Sequence, residues 1–181
     1  MASKANSGGP VVPWRLIGWA IPIFLLAIPW FARWPWSPDD FIVAGAMFAI
    51  VGGTFELAVR ASGNASYRAG AAIALAAAFL LVWINLAVGI IGNENNPLNL
   101  IFFAVIAIAL IGSIIARFRA AGMALAMVVA AAIQGLVGTS VLALGLGAGE
   151  PPGPVGLFAL IEFFALMWLF SAWCFRRAAR A

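Results

Sequence analysis

The chain contains no histidine. That absence removes the usual axial ligand of haem b, the commonest zinc ligand and the usual general base. A single cysteine, Cys174, excludes an internal disulfide and leaves a free thiol. Charge is equally scarce: 9% of the residues carry it, against 65% that are hydrophobic. A soluble domain of 181 residues has no place for so much apolar surface, because charged groups normally cover its exterior. A bilayer supplies an apolar solvent instead. There is no metal-ligand spacing, no Gly-rich phosphate loop and no Ser or Cys nucleophile with a visible base. An enzyme, a cofactor and a bound metal are therefore not expected.

The few charges present are placed with order. Apolar runs over about 14–32, 41–59, 69–91, 98–116, 121–146 and 155–175 are each near the ~20 residues that cross a hydrocarbon core as a helix. Nine of the ten basic residues fall at every second boundary: Lys4 and Arg15, Arg60 and Arg68, Arg117 and Arg119, then Arg176, Arg177 and Arg180. The intervening boundaries carry Arg33 with the acids Asp39, Asp40, Glu94 and Glu150. That is the positive-inside pattern of six crossings with both ends in the cytoplasm. The expected fold is all-α: a six-helix transmembrane bundle over 13–177, a polar cytoplasmic tail at 1–12 and another at 178–181, with no soluble domain. Its partner is the lipid bilayer. The net charge of +4 follows from this topology, so no nucleic-acid partner is expected.

Turn chemistry fits the same frame. Ser37-Pro38-Asp39-Asp40 offers a capping hydroxyl, a first-turn proline and two acids to the positive end of the second helix. Asn96-Pro97 does the same for the fourth, and Glu150-Pro151-Pro152-Gly153-Pro154 is a stiff loop before the sixth. No charge intervenes between Arg119 and Glu150, so the fifth helix must tilt or end early. The sequon at Asn64 falls on the expected cytoplasmic side and carries no glycan there. Trp14 and Trp173 fall at one expected interface, and Trp30, Trp34 and Trp36 at the other.

Within the spans, Pro22 and Pro29 lie on one face of the first helix and release the carbonyls of Gly18 and Leu25. They are candidate kinks: either a static bend satisfied by neighbours or a hinge at a binding site. Small residues recur at four-residue spacing: Gly45, Ala49 and Gly53 on the second helix, Ala131, Gly135 and Thr139 on the fifth. A similar stripe runs along the third through Ala74, Ala78, Asn85, Gly89 and Gly92. Such faces let backbones approach closely. Glu56 and Arg60 are an i, i+4 pair in the favourable order and read as a structural ion pair.

Glu162 falls ~12 Å inside its expected helix, Asn85 ~10 Å and Thr139 ~12 Å at 1.5 Å per residue, with Gln134 deeper still. Four polar side chains from three spans thus form a candidate intramembrane polar site. An ionised acid at that depth is costly, which expects Glu162 to be neutral or hydrogen-bonded to Asn85 or Thr139. The layer reads either as an interhelical clasp or as a proton- or cation-responsive site with Glu162 as the titrating group.

The stretch from Trp83 to Asn99 (WINLAVGIIGNENNPLN) resembles a segment of an uncharacterised family of small proteobacterial polytopic inner-membrane proteins. Ala116-Arg117-Phe118-Arg119 and the arginine-rich end after Trp173 extend the likeness. It implies a bacterial inner membrane and a recurrent fold, and carries no functional residue across. Asn93, Glu94, Asn95, Asn96 and Asn99 offer oxygens to a cation in principle, although turn formation and helix capping account for the asparagines.

Two roles are expected from these features. One is a non-enzymatic scaffold or accessory subunit beside other membrane proteins, or self-associated, from the small-residue faces and sparse polar interior. The other is a small proton- or cation-linked transporter or channel built around Glu162.

Overall fold

In hydrocarbon every backbone N–H and C=O must find its partner within the segment, and a long apolar run meets that demand as a helix. The computed structural model describes residues 14–149 and 151–181, with side chains from residue 18 onward. The expected tail at 1–12, Lys4 and Glu150 lie outside the described residues, and Trp14 and Arg15 are described in the backbone only. Among the described residues the chain is helix and turn throughout. The helices are α1 (Trp14–Phe31), α2 (Pro38–Ala61), α3 (Ala65–Ala87), α4 (Leu100–Ile115, preceded by a 3-10 turn at Pro97–Asn99), α5 (Ala120–Ala143) and α6 (Gly153–Ala178). Five are long and apolar enough to cross a membrane, the 3-10 turn counted with α4, while α1 is apolar but shorter. This is the architecture of a multi-pass helical membrane protein.

The chain divides into two compact units, Met1–Gly53 and Thr54–Ala181. In the first, α1 runs through Pro22 and Pro29 without interruption. It ends with Arg33 in the left-handed region at φ 52°, where Trp34 N–H donates to the Pro29 carbonyl at 3.0 Å and Arg33 N–H to that of Trp30 at 3.3 Å. This double bond pattern satisfies carbonyls that the helix end leaves open. A capping box then starts α2: Asp40 N–H donates to Ser37 Oγ at 3.3 Å, and Ser37 N–H donates back to the Asp40 carboxylate at 2.7 Å. The rings of Trp30 and Trp36 meet Phe41 edge-on around this turn. A Cβ placed on Gly52 would lie 3.1 Å from the Trp19 ring, so the absent side chain is what lets α1 and α2 approach there. Yet Pro29 and Ala44 are the only fully buried residues among those described in this unit.

The second unit has a core. Helix α6 packs against both α3 and α5, and α4 packs on α5. The largest buried side chains are Trp168, Phe164 and Phe175 of α6 with Phe102 of α4. They face small partners: a Cβ on Gly70 would lie 3.1 Å from the Phe175 ring, and one on Gly112 would lie 2.8 Å from the Ala126 Cβ. Since lipid tails are as apolar as leucine, this interlocking contact rather than water exclusion holds the helices together. Three polar side chains add direction. Ser171 Oγ donates to the Gly70 carbonyl at 2.8 Å, Tyr67 Oη to the Phe118 carbonyl at 2.8 Å, and Arg68 to the carbonyls of Val59 and Ser62 at 3.0 and 2.8 Å.

Several helix ends differ by a few residues from the sequence expectation, and those of α3 and α5 have clear causes. Helix α3 begins at Ala65 rather than near 69, because Asn64 Oδ1 accepts from the N–H groups of Ser66 and Tyr67 and caps it. It stops at Ala87 rather than 91: Gly89 takes φ 72°, and a Cβ there would run into the Asn93 backbone. Helix α5 takes the early-ending option. Leu146 N–H donates to the Val141 carbonyl at 3.0 Å and Gly145 N–H to Leu142 at 3.2 Å, closing the helix after Ala143.

Candidate functional site

The contacts of glycine positions fix the register of α5 on α6. Gly147 faces Leu157, Gly138 faces Ile161 and Glu162, and Gly135 faces Glu162, so the two helices run antiparallel. Gly135 and Gly138 together form a notch on α5. The Glu162 carboxylate lies in it, with Oε1 2.5 Å from where a Gly138 Cβ would stand and Oε2 3.5 Å from the equivalent point on Gly135. Oε1 is buried and has no hydrogen-bond partner, although the residue as a whole is only half-buried.

Gln134 sits one turn from Gly138 near the middle of α5 and is 0% exposed. Neither its Oε1 nor its Nε2 has a partner. The antiparallel register sets Gln134 about level with residues 163–166 of α6. Further along α6, the indole N–H of Trp168, itself 1% exposed, is likewise unpartnered. Buried polar groups without a partner typically cost about 1–3 kcal/mol each and are rare enough in native interiors to require a reason. Glu162, Gln134 and Trp168 thus each bring buried, unpartnered polar atoms to α5 and α6, with Glu162 in the seam between them.

Asn85 belongs to a different flank. It is 3% exposed on α3, its Nδ2 donates to the Leu81 carbonyl at 2.8 Å, and its Oδ1 has no partner. Helix α3 meets α6 antiparallel through Gly70 with Phe175 and Ser171, which sets Asn85 level with the first turns of α6. Glu162 is turned the other way, towards α5. Thr139 is exposed, and its Oγ1 donates to the carbonyl of Gly135 at 2.9 Å, on its own helix. The two donors expected to clasp Glu162 thus both bond backward within their own helices, the habit of short polar side chains in mid-helix. The polar layer divides into Asn85 beside α3 and Glu162 with Gln134 beside α5.

Above Asn85 the bundle opens into a cleft of about 240 Å³. Ile84, Leu157 and Leu160 line it with Gly89, Gly147 and Pro152, so its side-chain walls are apolar and its polar surface comes from backbone. Asn99 organises the loop over it. Its Oδ1 accepts from the N–H groups of Ile90 and Ile91 at 3.2 and 2.8 Å, and its Nδ2 donates to the carbonyls of Ile91 and Asn93 at 3.3 and 2.7 Å. Asn96 Oδ1 accepts from Leu98 N–H at 3.0 Å, and Asn93 Oδ1 from Asn95 N–H at 3.0 Å. The asparagines are spent on folding the loop. Among the described residues no three acidic or cysteine side chains converge on one point.

Elsewhere, Arg60 Nη2 donates to Glu56 Oε1 at 2.6 Å as an i, i+4 pair. Cys174 is buried. Sequence reasoning overlooked the capping role of Asn64, and Tyr67, Trp168 and Ser171. Asn64 carried a readable signal, a capping amide before an apolar run; Trp168 and Ser171 carried none, because only the register of α6 shows what they face. Comparison with known proteins finds no family model, no curated protein and no solved structure that matches this chain.

Proposed function

We propose that the chain is an integral protein of the bacterial inner membrane that crosses it six times, with both termini cytoplasmic. In this reading it serves as a non-enzymatic scaffold or accessory subunit of a membrane assembly. The alternation of basic and acidic boundaries supports the orientation. The likeness of the Trp83–Asn99 segment to small proteobacterial inner-membrane proteins supports the compartment.

One observation carries the scaffold role: among the described residues the α1–α2 hairpin buries only Pro29 and Ala44, while α2 carries Gly45, Ala49 and Gly53 at four-residue spacing. A small-residue face gains its stability from a closely apposed helix, and the face on α2 is one that a partner helix can meet. Mass spectrometry of the complex extracted in mild detergent tests this. A second membrane protein at fixed stoichiometry is expected, and G45L/G53L should lower its recovery. A lone monomer from wild-type cells contradicts the reading.

A second reading rests on the unpartnered atoms of Glu162, in the α5–α6 seam, and of Gln134 on α5. Intramembrane ionisable residues mark ion and proton paths by default, which favours a small proton- or cation-linked transporter. Flux in proteoliposomes should then depend on pH and vanish in Glu162→Gln; unchanged flux removes the role.

A further inference from the structure

The α4–α5 turn is bent in an unusual way. Arg117 and Phe118 are consecutive non-glycine residues in the left-handed region, at φ 50° and 56°. Bulky side chains rarely adopt that conformation, and residues held in it cluster at functional sites. Here it is over-determined. Arg117 N–H donates to Ile114 at 2.8 Å, Phe118 N–H to Ser113 at 3.0 Å, Arg119 N–H to Ala116 at 3.0 Å, and the Phe118 carbonyl accepts from Tyr67 Oη at 2.8 Å. The consequence is that Arg117, Phe118 and Arg119 all stand exposed in a row at the end of the bundle.

The same end gathers further charge. Tyr67 meets Phe175 edge-on with centroids 5.1 Å apart, which brings the last turns of α6 to the first turn of α3 and, through Phe118, to the α4–α5 turn. Arg176, Arg177 and Arg180 are exposed there. Arg177 lies 5.8 Å over the ring of Trp173, which is stacked on Phe170. Among the described residues no side-chain carboxylate answers these five guanidiniums. Glu162 lies in the α5–α6 seam, Glu94 follows the far end of α3, and Glu56 is engaged by Arg60.

We propose that this end of the α3–α6 bundle binds the phosphate of an anionic phospholipid, with Arg117 and Arg119 as its principal contacts and Phe118 seated among the acyl chains beside it. Guanidinium groups suit phosphate oxygens, which they bond in pairs. The backbone N–H groups of the turn are already spent, so the side chains must do the binding. Exposed Trp173 and Phe118 favour lipid over a water-borne anion, because the amphipathic indole settles at headgroup level and the apolar phenyl ring settles in the acyl region beside it. The inference rests on the reading that these helices cross a membrane.

The test uses the purified full chain in nanodiscs of mixed phosphatidylglycerol and phosphatidylcholine, with retained lipids counted by native mass spectrometry. Each arginine in reach is worth roughly fivefold in preference for the anionic lipid. Wild type should therefore retain phosphatidylglycerol preferentially, R117Q/R119Q should lose most of that preference, R117K/R119K should keep much of it, and R33Q should not change it. Because Arg117 sits in a constrained turn, R176Q/R177Q on the regular end of α6 supplies a second variant that leaves the turn intact, and a reduced preference is expected there too. Equal retention of both lipids by wild type overturns the proposal, as does full preference in R117Q/R119Q and R176Q/R177Q. Removal of the preference by millimolar inorganic phosphate overturns the assignment to lipid. Release of the chain from membranes by alkaline carbonate would instead defeat the membrane reading; a chain that resists it yet shows no preference defeats this inference alone.

Discussion

The carboxylate of Glu162 occupies the space that a side chain on Gly138 would need: Oε1 is 2.5 Å from the position of a Cβ there. Gly138→Ala should therefore force the acid out of its notch. Overpacking of a close contact costs about 1–3 kcal/mol, against a helix-propensity gain of up to about 1 kcal/mol for replacing glycine. A net loss of thermal stability in detergent is expected. Gly135→Ala, where the nearest carboxylate oxygen is at an ordinary 3.5 Å, should be neutral or stabilising. In a Glu162→Ala background the penalty at Gly138 should largely disappear, and a double-mutant cycle reads that coupling.

Gln134→Leu should stabilise the bundle. The wild-type amide is fully buried with both polar atoms unpartnered, and leucine is an apolar side chain of comparable bulk with strong helix propensity. Removing such a group typically gains about 1–3 kcal/mol where no partner is sacrificed. A higher melting midpoint with unchanged helicity is the expected outcome. A loss of stability would mean that the amide is bonded in the folded protein.

Asn99→Ala should loosen the loop after α3 selectively. It leaves the N–H groups of Ile90 and Ile91, both in buried residues, without their acceptor. Each stranded donor costs about 1–3 kcal/mol. Hydrogen exchange should accelerate at residues 90 and 91 while the middle of α5 stays protected. Asn99→Asp keeps the acceptor and loses the donors to Ile91 and Asn93, so it should fall between.

Tyr67→Phe removes one hydroxyl and keeps the edge-on contact with Phe175. The bond to the Phe118 carbonyl is then lost, at about 0.5–1.5 kcal/mol. Proteolysis at the α4–α5 turn should become faster in this variant, with the remaining helices unaffected. Equal protection in both proteins would show that the turn is held without that bond.

Much of the helical plan is legible in the residues. Apolar runs bounded by Ser37-Pro38 or Asn96-Pro97 state where helices start, because a cap, a fixed φ and an acid act within four residues of chain. Ends are harder. The stripe that continues through Gly89 and Gly92 reads as helix, yet the left-handed turn at Gly89 and the four bonds of Asn99, ten residues later, stop α3 at Ala87. The candidate site is legible in its members and not in its pairing. Depth along a helix follows from counting, so Glu162 and Gln134 could be named in advance. Which flank each faces depends on helix register, set here by Gly138, Gly147 and Gly70, and no local pattern encodes it. The same limit hid Trp168 and separated Asn85 and Thr139 from the acid. Arg117 and Phe118 illustrate it at a turn: nothing in their residue types announces a left-handed conformation.

The central claim is that the chain crosses the membrane six times with both ends inside, and cysteine accessibility tests it directly. In a Cys174→Ser background, single cysteines at Ser3, Ser37, Gly63, Asn95 and Ala181 are challenged in intact cells with a membrane-impermeant maleimide. Ser37→Cys and Asn95→Cys should label from outside, while Ser3→Cys, Gly63→Cys and Ala181→Cys should label only after permeabilisation. Labelling of Ser37→Cys and Ser3→Cys alike from the inside would mean that α1 does not cross. Labelling of Ala181→Cys in intact cells would contradict the account as a whole.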